Sequence, residues 1–308
     1  MKIAVMGVGG VGGYYGSLLA RHYAENRDVE VIFIARGHHL QEIRKNGLKM
    51  LSEKGEFLAK PDLAADDPLK CGTFDVVLFC TKSYDLEDSA RLVSPCLDEN
   101  SVVISLLNGV NNPERLRAVL HKGKILNGCV YVAAHILRPG VIQQMGGSGK
   151  LFFGGELDLP VDGKGIENIL QAADIDAEYS RDIESIVWEK YIFICPFASA
   201  TTFFDRTIGD VLDDEEGKSL LEGLLGEVIH IAETRGVNLQ KNILRITIDK
   251  ALTFPRETKT SMQKDAEDGK KTEIDTFTGY IVKAARKHGV SVPHHERVYK
   301  ALKGRLQA

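Results

Sequence analysis

The chain has 308 residues, 44% of them hydrophobic and 27% charged, with a formal net charge of −4. That length suffices for two domains with separate cores, and the composition is that of a globular enzyme rather than a disordered or fibrous chain. With no block of Lys or Arg, nucleic acid is not an expected partner. The first apolar run, residues 3–6, is too short for a leader peptide. The longest, residues 191–204, contains Pro196 and is too short to span a bilayer, so no membrane partner and a cytoplasmic location are expected. Five cysteines (Cys71, Cys80, Cys96, Cys129 and Cys195) are scattered without a C-x-x-C pair, which fits a reduced compartment. Cys195 lies in an apolar run that should raise its pKa and leave it inert. Neither His38-His39 nor His294-His295 has a companion at metal-ligand spacing, and no metal is expected.

Near the N-terminus, Lys2-Ile3-Ala4-Val5-Met6 reads as an apolar strand that empties into Gly7-Val8-Gly9-Gly10-Val11-Gly12, with helix-forming sequence following. Each glycine of this G-x-G-x-x-G has a physical task in holding a pyrophosphate. Gly7 permits the tight turn, Gly9 lets the backbone approach the phosphates, and Gly12 lets the helix pack against the strand. The helix N-terminus then offers unpaired N–H groups to the anion. Strand before and helix after is the context that distinguishes this motif from a chance match. The next strand, residues 29–35, ends in Arg36 and carries no carboxylate. A carboxylate there suits the ribose hydroxyl of NAD, whereas an arginine suits the 2′-phosphate of NADP. NADP is therefore the expected cofactor.

Further along, residues 40–46 read as a helix and residues 48–60 as a hairpin turning at Lys54-Gly55. Residues 75–80, 101–106 and 125–134 read as buried strands, and 85–97 and 113–121 as helices between them. Residues 141–145 and 151–155 suggest two shorter strands around glycine-rich turns. This alternation predicts a parallel sheet covered by helices on both faces. From residue 183 onward the chain reads as helical. Asp213-Asp214-Glu215-Glu216 marks a helix start with Gly236 past its end, a helix follows over 240–252, and another over 271–288. A kink is expected at Pro196, which cannot bond to the carbonyl of Ile192. The predicted class is α/β: a Rossmann-type nucleotide domain over residues 1–180, followed by an all-α domain over 181–308.

Ligands in such sheets lie at the carboxyl ends of the strands, where Lys82 and Asn108 stand. Gly109 could give Asn108 an unusual backbone angle, though Asn-Gly is also an ordinary turn pair. In the helical half, Lys190 leads into an apolar run. It could snorkel to solvent, or, if desolvated, act as a general acid. Ser261, Asp265 and Glu273 suit either a charged surface or a site.

Taken together, the N-terminal G-V-G-G-V-G, T-K at 81–82, L-N-G at 107–109, W-E-K at 188–190 and S-M-x-x-D…T-E-I-D at 261–275 resemble the ketopantoate reductase family over nearly the whole chain. The resemblance implies NADPH-dependent reduction of a small-molecule 2-oxo acid, 2-dehydropantoate, in a cleft between a Rossmann domain and a helical domain. It implies Lys190 as general acid, Glu273 as the residue binding the new hydroxyl and also touching cofactor, and Ser261 near the substrate carboxylate. Asn108 and Lys82 would meet substrate and nicotinamide ribose. Many members carry asparagines one and two turns after the lysine and after T-E-I-D. Here Ile194, at a substrate-binding position, Ala198 and Thr278 stand instead, and a more apolar pocket is expected. The alternatives are a paralogue reducing another 2-oxo acid, or a non-catalytic NADP-binding sensor. Either a monomer or a homodimer fits.

Overall fold

The apolar runs of the first half become strands because both of their faces are covered. In the computed structural model, which describes residues 1–25, 28–155 and 162–306, the chain opens with β1 (Lys2–Met6), α1 (Gly10–His22), β2 (Glu30–Ile34) and α2 (Gly37–Asn46). The hairpin β3 (Leu48–Ser52) and β4 (Gly55–Ala59) follows, then β5 (Leu63–Ala65), β6 (Val76–Phe79), α3 (Leu86–Val93), β7 (Val102–Ser105) and α4 (Asn112–Arg117). Next come β8 (Lys124–Arg138), β9 (Val141–Gly154), α5 (Gly163–Ala172) and β10 (Ala177–Tyr179). The helical half comprises α6 (Ile183–Phe204), α7 (Ile208–Asp213), α8 (Glu215–Thr234), α9 (Ile243–Ala251), α10 (Ser261–Glu267), α11 (Thr278–His288) and α12 (Pro293–Leu306).

Among the described residues the strands form one ten-stranded sheet, ordered β4-β3-β9-β8-β7-β6-β1-β2-β5 with β10 on β9. From β5 to β8 every pairing is parallel. Alternate residues of β1 face opposite cores. Ile3 and Val5 pack with Tyr15 and Leu19 of α1, while Ala4 and Met6 pack with Leu86, Ala90 and Val93 of α3.

The sheet is mixed rather than purely parallel, because two of its connections are hairpins. β3–β4 and β8–β9 pair antiparallel, as a short reversal requires. Residues 141–154 form one strand, where the sequence suggests two. Its register shifts opposite Tyr131, Ala133 and Ala134 absorb the glycine segment, with Gly146, Gly147 and Gly149 at positive φ. α5 and β10 are absent from the sequence reading. Gly163 and Gly165 obscure the start of α5, which Asp162 caps by accepting from the Gly165 N–H at 2.8 Å.

α6 continues as a helix through Pro196. α11 starts at Thr278, seven residues later than the period predicts. The N–H groups of Thr276 and Phe277 both donate to the carbonyl of Glu273 (3.0 and 3.1 Å) and close a turn. Ile274 and Phe277 are buried in that turn as they would be in a helix, so burial at a spacing of three did not discriminate.

The chain divides into two compact units, Met1–Leu107 with Asn111–Ile183, and Asn108–Val110 with Glu184–Ala308. In the second, α8 buries Leu220, Leu221, Leu224, Leu225, Val228 and Ile231. Glu227 on the same helix accepts from the backbone N–H groups and ring Nδ1 atoms of both His294 and His295, at 2.7–2.9 Å. These histidines thus serve the fold, and among the described residues no group of three or more His, Cys, Asp or Glu is placed to hold a metal. All five cysteines are free and buried, and burial pushes the Cys195 thiol up to about 12.

Candidate active site

In the first unit, successive strands run outward in opposite directions from β1 and β6, which lie side by side. This is the switch point at which α/β sheets open a crevice beyond the strand ends. Gly7 leaves β1 at φ +94°, and its N–H donates to the Ile34 carbonyl at 3.0 Å. A Cβ on Gly12 would stand 2.0 Å from the Gly7 carbonyl oxygen and 2.8 Å from the Cys80 Cβ. A Cβ on Gly10 would stand 1.9 Å from the Ala134 carbonyl oxygen of β8. The fold itself therefore requires these two glycines, and Gly10 has a packing duty that the motif alone does not assign. Gly9 differs: nothing lies within 4 Å of the position its Cβ would take. It is the N-cap of α1 and offers no side-chain cap, so open space adjoins the first-turn amides of a 13-residue helix. A pyrophosphate fits that cradle.

Arg36 stands two residues beyond β2, at the N-cap of α2, with its side chain 87% exposed, and Nη2 donates to Asp85 Oδ2 at 2.9 Å. An ion pair this exposed contributes at most about 1 kcal/mol, so the guanidinium can exchange Asp85 for a phosphate at small cost. Lys82 is exposed just after β6. The rim beside it is held by Arg115, which bonds the Ser83 carbonyl and both Glu87 carboxylate oxygens at 2.6–2.7 Å and keeps Glu87 below the usual carboxylate range. His39 accepts from the Gly140 N–H through Nδ1 at 3.0 Å. It ties α2 to the β8–β9 turn, and burial lowers its pKa.

The second unit gathers the remaining candidates. Gly109 takes φ +106°, the unusual angle its position suggested, and Asn108 before it meets α6. Lys190 Nζ donates to Asn108 Oδ1 at 3.1 Å, both residues being half-buried. One position on, Tyr191 is buried and its hydroxyl donates to the carbonyls of Thr276 (2.9 Å) and Phe277 (2.8 Å). Those carbonyls lie just beyond Glu273, which is 7% exposed. In the sequence Tyr191 stands inside an apolar run, with no periodic mark of this role. A buried tyrosine needs a hydrogen-bond acceptor, and that requirement was the available signal.

Ile194 is half-buried one turn from Lys190, and Ala198 is buried a further turn on. Thr278 is fully buried and its hydroxyl is 2.7 Å from that of Ser199. Ser261 is exposed at the start of α10, just after its cap Thr260.

A helical unit presenting a lysine steadied by an amide, following an α/β unit with a glycine loop at its switch point, defines a dinucleotide-dependent oxidoreductase. Comparison with known proteins specifies which. The family described as Ketopantoate reductase PanE/ApbA matches residues 3–156, and its C-terminal counterpart matches residues 182–306. The chain belongs to the ketopantoate reductase family. It is 30% identical to an uncharacterized oxidoreductase, YkpB, of Bacillus subtilis, over 98% of both chains. Its fold matches the PanE/ApbA family ketopantoate reductase of Ralstonia eutropha at a TM-score of 0.90 and 30% identity, covering 100% of this chain and 99% of that one. The 2-dehydropantoate 2-reductase of Porphyromonas gingivalis matches at a TM-score of 0.85 and 34% identity, over 98% and 99%. Among the described residues no helix is long and apolar enough to cross a membrane.

Proposed function

We propose that this chain reduces 2-dehydropantoate to pantoate with NADPH, with Lys190 as the general acid. The observation that carries the reading is the hydrogen bond from Lys190 Nζ to Asn108 Oδ1 at 3.1 Å. It fixes the direction of a half-buried ammonium without neutralising it. Residues 1–180 are the NADP-binding part and residues 181–308 the catalytic part. The glycine loop from Gly7 to Gly12 holds the pyrophosphate, and Lys82 meets the ribose. Bound NADPH supplies the hydride. Lys190 stabilises the oxyanion that develops on the substrate carbonyl and transfers a proton to it from Nζ. Glu273 accepts a hydrogen bond from the resulting hydroxyl, and Ser261 binds the carboxylate region. The same reading makes the protein a monomer or homodimer and places it in the cytoplasm, the latter supported by the five free thiols.

Arg36 carries the preference for NADPH in this reading. Arg36→Ala should weaken NADPH at least about tenfold more than NADH, as read by titrating each nucleotide. Equal losses would contradict a 2′-phosphate contact.

A second reading, reduction of a less polar 2-oxo acid, is favoured by the face of α6 that continues from Lys190. Ile194 and Ala198 offer no hydrogen bond, and the Thr278 hydroxyl is engaged by Ser199. The deciding experiment follows NADPH oxidation by the purified protein over a panel of 2-oxo acids that includes 2-dehydropantoate. Turnover of 2-dehydropantoate is expected. Turnover only of acids with hydrocarbon side chains would select the second reading, and no turnover of any member would overturn the proposed reductase activity.

A further inference from the structure

We propose that Tyr191 is a positioning residue for Glu273, setting that carboxylate relative to Lys190 through a hydrogen bond to the main chain. This rests on the reading of Lys190 and Glu273 as the catalytic pair.

Tyr191 follows Lys190 directly on α6, and its hydroxyl reaches the carbonyls of Thr276 and Phe277 at 2.9 and 2.8 Å. Its one proton is therefore shared between two acceptors. Both carbonyls belong to the turn that Glu273 opens, since the Thr276 and Phe277 N–H groups return to the Glu273 carbonyl. Residues 271–273 have no regular secondary structure of their own, so the direction of Glu273 depends on what anchors this turn.

The anchor cannot swing away. The Tyr191 ring lies edge-on to Trp188 and Tyr280, with centroids 5.7 and 6.1 Å distant, and is tilted against Phe277 at 6.1 Å. Two turns further along α6, Ser199 pairs with Thr278, the first residue of α11. From the outer side, Asp275 is held by Tyr299 at 2.5 Å and by Lys303 at 2.9 Å. The turn is thus fixed between α6 and α12, and the inner attachment starts one residue from the lysine. Burial drives Tyr191 ionisation well above its ordinary range, which keeps the hydroxyl a donor and out of the proton transfer.

Tyr191→Phe removes the bond and keeps the ring packing. The test measures kcat, KM and NADPH affinity for wild type, Tyr191→Phe, Glu273→Ala and the double variant, with the 2-oxo acid turned over fastest. Tyr191→Phe should lower kcat about tenfold, leave NADPH affinity within about twofold, and melt within a few degrees of wild type. The double variant should be no slower than Glu273→Ala alone, because a positioning effect disappears with the group positioned. Amide exchange over residues 273–277 should quicken in Tyr191→Phe while α6 stays protected. An unchanged kcat, unchanged exchange in the turn, or losses that multiply in the double variant would overturn the role of Tyr191. A wild-type rate for Glu273→Ala would instead overturn the reading of Glu273, and this proposal with it.

Discussion

Lys190→Ala should lower kcat by about a hundredfold or more while leaving NADPH affinity within a few-fold of wild type. The split follows from where each function lies. The glycine loop and Arg36 belong to the first unit, whereas Lys190 and its partner Asn108 belong to the second. Alanine removes both the charge that stabilises the developing oxyanion and the proton that quenches it. Lys190→Arg separates the two contributions. Guanidinium retains the charge but does not release a proton at neutral pH, so recovery of most of the rate by arginine would show that charge dominates. A Lys190→Ala rate within about threefold of wild type would exclude the lysine as the acid.

The glycine loop was legible in the sequence because the features that mark it are local: a strand before, a helix after, and a positive φ at Gly7. What escaped was set by partners far along the chain. The duty of Gly10 comes from the Ala134 carbonyl on β8, and the partner of Arg36 is Asp85, 49 residues away. Neither leaves a periodic trace. The parallel core of the sheet could be read from alternating strands and helices, and the β3–β4 hairpin from its turn at Lys54-Gly55, but the antiparallel pairing of β8 with β9 could not. β9 looked like two fragments because glycines interrupt its pattern while the ladder continues around them. The turn over residues 273–277 was hidden for the opposite reason. Ile274 and Phe277 keep a helical spacing, yet the backbone closes on the Glu273 carbonyl before α11 begins. For the candidate site, residue types left Lys190 and Glu273 open and the family resemblance singled them out, while Tyr191 needed coordinates, since nothing in an apolar run says where its one hydroxyl reaches.

Gly9 and Gly12 should fail in different ways when given side chains, and the contrast tests the cofactor cradle without any substrate. At Gly12 a Cβ would overlap the Gly7 carbonyl oxygen, a backbone atom, at 2.0 Å. Neither atom is the end of a flexible side chain, so α1 has to move off β1. Forcing atoms into a packed core costs about 1–3 kcal/mol and sometimes more. Gly12→Ala should therefore melt several degrees below wild type and bind NADPH poorly as well. Gly9 has negative φ (−82°) and open space where its Cβ would go, so the Cβ of a valine there meets neither a forbidden backbone nor a neighbour. Gly9→Val should melt within about 2 °C of wild type. Its side chain would nonetheless occupy the approach to the first-turn amides of α1, where the pyrophosphate must come close to the backbone. NADPH affinity should accordingly fall by about a hundredfold or more, measured by fluorescence titration beside the melting curves. Wild-type affinity in Gly9→Val would mean that the phosphates bind elsewhere, and the assignment of the loop would have to be abandoned even though the fold around it stands.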